Sequence, residues 1–379
     1  MDNFIVSARK YRPTTFNSVV GQEHITSTLK NAIKTGQIAQ SFLFCGPRGV
    51  GKTTCARIFA KALNCQHLTV DFEPCNECDS CRAYNESASF NVYELDAASN
   101  NSVDDIRSLV EQVRIAPQGA KYKVYVIDEV HMLSSAAFNA FLKTLEEPPA
   151  YAKFILATTE KHKIIPTILS RCQVYDFKRI NDNDIIKHLQ YVAKSEHVEA
   201  EEEALRVIAA KADGALRDAL SIFDQIVSFS GGAITYKQTI ENLNVLDVNN
   251  YFNMVHHLFS EDESAALLLF DEILSNGFEA QHFIAGLAKH FRNLLVAQNP
   301  STVRLMEASD SIKQQYAMQA QNIDKALLLR ALDLSNECDF NFKTSNNKRL
   351  SVELCLMKIH ANYVFIKNKA ATKVRQSRE

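Results

Sequence analysis

The sequence predicts an α/β domain built on a mainly parallel sheet, followed by a small helical domain and then an all-α domain. Three observations predict it. Short apolar strands alternate with amphipathic helices over residues 1–179. Seven of the eight prolines lie at or before Pro166, and only Pro300 follows. Proline breaks helices and central strands, so the second half is free to be helical. Gly46, Gly49 and Gly51 fall within six residues, between a strand and a helix.

The strands read as residues 41–46, 91–97, 123–129 and 153–159. Amphipathic helices over 22–36, 54–64 and 102–114 alternate with them. Such alternation implies a parallel sheet covered on both faces. Residues 180–243 read as short helices: the first has an Asn/Asp start, and Gly214 separates the next two. From 244 to 368 the apolar spacing is helical throughout, as in residues 280–296 and 349–366. Residues 369–379 lose the pattern and add charge, as at a tail or the start of a linker. The guide of roughly 100–200 residues per domain is met by three domains in 379, with boundaries near 180 and 244.

Composition sets limits. Hydrophobic residues make up 46% and charged residues 23%, enough for buried cores and unlike a low-complexity chain. Formal charge is -2, so any nucleic-acid contact must come from a local patch. The first residues lack the apolar core of a signal peptide. No apolar run approaches the ~18 residues of a membrane span. Nine cysteines without a secretion signal suggest reduced thiols or a metal, and the expected compartment is the cytoplasm.

The segment Gly46–Thr53, GPRGVGKT, matches G-x-x-x-x-G-K-[ST]. Its glycines let backbone N–H groups turn inward around phosphate oxygens, and the following helix adds partial positive charge. Gly46, Pro47, Arg48, Gly49, Val50, Gly51, Lys52, Thr53 and Thr54 form the expected nucleotide-binding set. Lys52 should reach the β- and γ-phosphates, and Thr53 should ligate Mg²⁺. Residues 124–129, VYVIDE, end an apolar strand in two carboxylates. Asp128 would hold Mg²⁺ through water and Glu129 would orient the attacking water, the acid pair that phosphoryl transfer to water requires. With His131 the string reads DEVH, which resembles a helicase box.

The cysteines divide into two kinds. Cys75, Cys78 and Cys81 form C-x2-C-x2-C, and Cys65 precedes them by ten positions, inside a polar insert of about 65–81. Tight C-x2-C turns let thiolates converge on a tetrahedral Zn²⁺, and four cysteines suggest a closed, structural site. His67 is the alternative to Cys65. Cys45, Cys55, Cys172, Cys338 and Cys355 sit in apolar or helical contexts, as small core residues do.

These motifs in this order resemble the AAA+ family and, more closely, the gamma/tau family of bacterial replicative clamp-loader ATPases. The matching strings are residues 8–24, 46–54, the four-cysteine insert, 94–100, 124–149, 155–172 and 213–225. The resemblance is dense over 1–225 and looser over 244–368. It implies ATP hydrolysis to ADP, with Arg171 as an arginine finger acting in trans on a neighbouring subunit's ATP. It implies Thr159 as the strand-end sensor, with Thr158 as the alternative, and Arg217 as the lid residue that reads the γ-phosphate. Tyr11, Arg12 and Val20 correspond to the segment that wraps the adenine. It implies a helical collar over 244–368 that joins five subunits, with delta- and delta-prime-like partners. It also implies a sliding clamp and primer-template DNA gripped by its phosphates without reading bases. Arg107 and Lys143 are the candidate DNA contacts, although Asn100 and Ser102 are neutral where that surface would favour cations. Polymerase and helicase contacts would belong to a C-terminal extension. The competing readings are a DNA-translocating helicase-type ATPase, which needs a second motor domain or a hexamer, and a non-catalytic scaffold subunit.

Overall fold

The computed structural model describes residues 5–260, 262–306 and 308–376, with only the backbone of 369–376. Residues 377–379 of the expected tail lie outside the described residues. The chain divides into two compact units, Met1–Ile234 and Thr235–Glu379.

The first unit is built on a five-stranded sheet, β1 Ser41–Cys45, β2 Val92–Asp96, β3 Lys123–Asp128, β4 Ala152–Thr158 and β5 Gln173–Asp176. Its order is β2-β3-β4-β1-β5, and every pairing is parallel. Helices α1 Ser7–Lys10 and α2 Glu23–Thr35 precede β1, and α3 Lys52–Leu63, α4 Asp79–Asn85, α5 Val103–Val113, α6 Ser135–Glu146 and α7 Pro166–Leu169 lie between the strands. The strand period of two divides β1 between two cores. Phe42 and Phe44 pack with Leu29 of α2 and Cys55 and Phe59 of α3. Leu43 and Cys45 pack with Ile106 of α5 and Phe141 of α6 on the other face. Burial on both faces is why β1, β3 and β4 are continuous apolar runs. Cys45, Cys55 and Cys355 are buried, while Cys172 and Cys338 are half-buried, and all nine cysteines are free thiols.

The sheet has a fifth strand that the sequence pattern did not single out. QVYD of β5 pairs on one side only, with β1, and of its four residues Tyr175 alone is fully buried. A four-residue edge strand has no unbroken apolar run to mark it.

After the sheet come α8 Asp182–Ser195, α9 Glu202–Ala212 and α10 Leu216–Ser230. They bury Leu189, Ile208 and Phe223 and form the expected helical lid. A two-residue parallel pair, β6 Glu199–Ala200 with β7 Ala233–Ile234, closes this group. The backbone N–H and hydroxyl of Ser7 both donate to the Asp224 carboxylate, at 2.7 and 2.5 Å, which fixes α1 to α10. The turn between α9 and α10 needs glycine at 214. Its φ is +79°, and a Cβ there would stand 2.6 Å from the Cβ of Arg179.

The second unit is all helical among the described residues. It comprises α11 Tyr236–Asn242, α12 Val248–Leu258, α13 Glu263–Ser275, α14 Ala280–Ala297, α15 Asp310–Ala320, α16 Lys325–Phe342 and α17 Lys348–Gln376. Phe270, Phe283, Phe291, Leu328 and Leu356 form its core. Helix α15 lies in the region read as helical and buries only Tyr316 and Ala320, so its own apolar period is weak. Helix α17 continues through the segment read as a tail, as far as Gln376. Among the described residues, no helix is long and apolar enough to cross a membrane.

Candidate functional site: a phosphate cradle beside a cysteine cluster

β1 ends where the cradle begins. Gly46 has φ +148°, and a Cβ there would lie 2.5 Å from the Phe177 carbonyl oxygen, so the loop passes flush against the end of β5. Gly49 has φ +77°, and its Cβ would press on Ala215 at 2.9 Å. Glycine at these two positions therefore seats the loop against both the sheet and the lid. Helix α3 has no side-chain N-cap, and its first backbone bond closes from Cys55 to Gly51 at 2.8 Å. The amides of Lys52, Thr53 and Thr54 thus have no intrahelical acceptor and offer an anion site at a helix N-terminus.

Lys52 is only 6% exposed. Its ammonium donates to the carbonyls of Gly46 and Pro47, at 2.8 and 2.7 Å. Burial lowers its pKa, and Glu129 and Asp128 oppose that shift. A cation held this way is stabilised by an incoming phosphate. Thr53 Oγ1 donates to Asp128 Oδ2 at 2.5 Å, joining the first turn of α3 to the end of β3. The two predicted magnesium ligands are therefore in direct contact.

Glu129 follows Asp128 with φ +46°, which turns its carboxylate off the strand axis. Glu129 Oε2 accepts from the N–H and hydroxyl of Thr159, at 3.1 and 2.9 Å. Thr158 is buried at the end of β4, and its hydroxyl faces His131 Nδ1 at 3.1 Å. Of the two threonines, Thr159 is the one that reaches Glu129. His131 lies between two carboxylates, with Nδ1 3.4 Å from Glu129 Oε2 and Nε2 3.0 Å from Glu160 Oε2. Glu160 and the location of His131 escaped the sequence analysis, because the network exists only once β3 and β4 are paired.

Lys52, Thr53, Asp128 and Glu129 line one cleft of about 290 Å³, and Thr159 bonds to Glu129 from outside its lining. Its phosphate end is the loop with Lys52, Thr53, Thr54, Asp128 and Glu129. Tyr11, Arg12 and Val20 line it too, as does Arg217, whose backbone N–H donates to the Gly49 carbonyl at 3.3 Å. The far end is apolar, with Ala8, Val19, Ile180, Leu216 and Leu220. None of these five was foreseen, since single apolar residues carry no motif. Asp96, also unforeseen, enters the cleft because β2 pairs Asp96 with Asp128. The hydroxyl of Tyr11 donates to Glu196, and burial followed by that contact raises its pKa to about 12. Buried Gln22 ties the cleft wall together, donating to the Lys178 carbonyl at 2.6 Å and to the Val50 carbonyl at 3.4 Å.

Arg171 lies outside this cleft. It is exposed after α7, and its guanidinium meets Glu146 at 2.8 Å. Arg107 is exposed on α5 and pairs with Asp104 at 3.2 Å, while Lys143 is exposed on α6.

The cysteine insert converges as its spacing suggested. The Sγ atoms of Cys65, Cys75, Cys78 and Cys81 all lie within 4.8 Å of one another, and exposed His67 is outside the group. Cys65 and Cys75 are 3.5 Å apart and Cys75 and Cys81 4.0 Å. The edge of a tetrahedron with Zn–S bonds of about 2.3 Å is about 3.8 Å, so the donor set fits zinc. Burial works against ionisation of Cys75, but N–H groups of Glu77 and Cys78 and neighbouring thiols bring it down to about 6. Buried Lys61 of α3 donates to Asn76 and Asn85 and places a cation beside the thiols.

Comparison with known proteins covers both units. Residues 21–181 match the family described as "DNA polymerase III, delta subunit". Residues 184–232 match "DNA polymerase III clamp loader subunit, ATPase lid domain", and residues 248–359 match "DNA polymerase III delta subunit, C-terminal domain". The chain is 41% identical to DNA polymerase III subunit tau of Bacillus subtilis, over 93% of this chain and 62% of that protein. It is 42% identical to the tau subunit of Escherichia coli, over 73% of this chain and 43% of that one. It is 32% identical to the gamma subunit of Buchnera aphidicola from Acyrthosiphon pisum, over 94% of this chain and 99% of the relative. The chain thus spans roughly half the length of the tau relatives and nearly all of the gamma relative. On the match across the full gamma subunit and the lid signature that follows the phosphate cradle, this chain belongs to the gamma/tau family of bacterial DNA polymerase III clamp-loader subunits.

Proposed function

We propose that the chain is an ATP-hydrolysing subunit of a replicative clamp loader, which opens a sliding clamp and loads it on primer-template DNA. The observation that carries this is the convergence on one cleft of Lys52, the Thr53–Asp128 pair, Glu129 and Arg217, with Thr159 bonded to the Glu129 carboxylate. The triphosphate would lie along the amides of Lys52, Thr53 and Thr54, with the adenine in the apolar end beside Val20. Magnesium, held by Thr53 and Asp128, would neutralise developing charge on the β- and γ-phosphates. Glu129 orients the attacking water and takes its proton, and Thr159 holds the carboxylate in position. Arg217, on the first turn of α10, reports the γ-phosphate to the lid.

Arg171 would reach a neighbouring subunit's ATP. Its exposure away from the chain's own cleft supports that role. The division of labour would follow residues 1–179 for nucleotide, 180–243 for the lid and 244–368 as a collar joining a pentamer with delta- and delta-prime-like subunits. Arg107 and Lys143 stand on neighbouring exposed helices and would contact DNA phosphates. Because the tau relatives are longer, polymerase and helicase contacts would lie in an extension beyond this region. The compartment is the cytoplasm, where the chromosome is replicated. The four thiols would hold a structural zinc.

The nucleotide reading is tested by calorimetry with ATP. Lys52→Ala should weaken binding by about 30- to 100-fold, a change of about 2–2.7 kcal/mol. An unchanged affinity in a folded variant would refute the cradle. The metal reading is tested by elemental analysis of the purified chain. About one zinc per chain is expected, with Cys78→Ser losing most of it; full retention by Cys78→Ser would exclude that ligand.

A further inference from the structure

The cysteine insert makes a contact that no metal role requires. Between Cys65 and Cys75 stands Glu73, a carboxylate residue only 5% exposed. Its Oε2 accepts from the backbone N–H of Phe16 at 2.7 Å, and its Oε1 from that of Asn17 at 2.9 Å. Lys30 of α2 meets Oε1 at 2.6 Å and also donates to the Asn17 side chain at 2.6 Å. These two amides open the turn Phe16–Ser18, whose local bonds run from the Ser18 N–H to the Thr15 carbonyl at 3.3 Å and from the Val19 N–H to the Phe16 carbonyl at 3.2 Å, so the Phe16 and Asn17 amides are left for Glu73. Phe16 is buried in the core beneath the phosphate helix, and Val19 and Val20, directly after the turn, line the cleft. Tyr11, Arg12 and Pro13 line it from the other side of the turn.

The insert's backbone is arranged to present this carboxylate. Phe72, directly before Glu73, has φ +59°, and Asn76, directly after Cys75, has φ +63°. A left-handed conformation is unfavourable for an aromatic residue and persists only where surrounding structure enforces it. The four thiols converge at the base of this loop, and Thr69 closes it by exchanging bonds with Glu73, N to O at 3.0 Å and Oγ1 from N at 3.1 Å. The insert begins directly after α3, the helix whose N-terminus is the phosphate cradle. One end of the insert is therefore tied to the phosphate side of the cleft, and Glu73 to the opposite wall.

We propose that the cysteine insert is a brace for the base-side wall of the nucleotide cleft, with Glu73 as the positioning residue that clamps Phe16 and Asn17. The effect on nucleotide rests on the reading of this cleft as the ATP site. A buried carboxylate accepting two N–H bonds and paired with a lysine is a charge-assisted clamp, stronger than neutral contacts. Removing it frees the segment Tyr11–Val20, so ordering that segment is charged against nucleotide affinity. The phosphates are gripped by α3 and its loop and are insensitive to it.

The test uses the full chain with Glu73→Ala and the isosteric Glu73→Gln, whose amide oxygen still accepts one bond. Hydrogen exchange is read at the Phe16 and Asn17 amides without nucleotide, and affinity is measured for ADP and for inorganic tripolyphosphate. Glu73→Ala should speed exchange at both amides about tenfold or more and weaken ADP about tenfold. It should leave tripolyphosphate within about twofold and the metal content unchanged, with Glu73→Gln in between. Removing the metal from the wild type with a chelator should raise exchange at the same two amides. Unaltered exchange in Glu73→Ala, or after chelation, overturns the brace. ADP and tripolyphosphate weakened equally overturns its assignment to the base side. A wild type that binds neither ligand overturns the ATP reading and the effect on affinity with it, while exchange alone still decides whether Glu73 clamps the turn.

Discussion

Glu129→Gln is expected to leave ATP affinity within about threefold of the wild type and to lower turnover in the assembled complex by about 10³-fold. The geometry separates the two effects. Glu129 touches neither the loop amides nor Lys52; its Oε2 accepts from the Thr159 amide and hydroxyl. Glutamine has the same volume and an oxygen that can accept those bonds, so the end of β3 and the start of the post-β4 segment stay in register. It cannot take a proton from water. Loss of a positioned general base is worth about 10²–10⁴ in rate. Steady-state phosphate release and calorimetry with ATP give the two numbers. Turnover within tenfold of the wild type would remove Glu129 from the chemistry; a parallel collapse of affinity would make it a binding residue.

Arg171→Ala should cut stimulated hydrolysis in the assembly by about 10³-fold, while the isolated chain keeps its nucleotide affinity and its fold. Among the described residues the Arg171 guanidinium meets Glu146, the Thr167 carbonyl and Ser170, at an exposed site. An exposed pair of this kind is worth about 0–1 kcal/mol, so its loss costs little stability and its partner can be exchanged at low cost. A guanidinium delivered from a neighbour neutralises charge on the transferring phosphoryl group, the step where it is worth most. The variant is compared with the wild type as isolated chain and as assembly. Normal stimulated hydrolysis would assign Arg171 to the surface. Weakened nucleotide binding in the isolated chain would show that it acts within its own subunit.

Much of the fold and of the cleft is legible in the sequence. β1, β3 and β4 are buried on both faces, so their apolar runs are unbroken and identify themselves. The phosphate cradle was legible because each glycine answers a backbone need that no other residue meets; Gly46 lies flush against Phe177 and Gly49 against Ala215. The thiols were legible because Cys75, Cys78 and Cys81 are spaced for one centre. What escaped depends on partners distant in sequence. β5 is an edge strand whose identity comes from pairing with β1. His131 joins Glu129 to Glu160 only when β3 lies beside β4. Glu73 acts on amides 56 and 57 positions away, and nothing near it in the chain marks it. Arg171 and Arg217 were found by resemblance alone. Geometry separates them, with Arg217 in the chain's own cleft and Arg171 outside it.

The central claim is that this chain hydrolyses ATP in a cleft completed by assembly. The most direct measurement is phosphate release from ATP by the wild-type chain, alone and reconstituted with its partner subunits, clamp and primed DNA. The account predicts slow release by the isolated chain and a rise of at least about 100-fold on assembly, abolished by Glu129→Gln. Release by the wild-type assembly no faster than that of the Glu129→Gln assembly would contradict it, because the cleft would then bind nucleotide without turning it over.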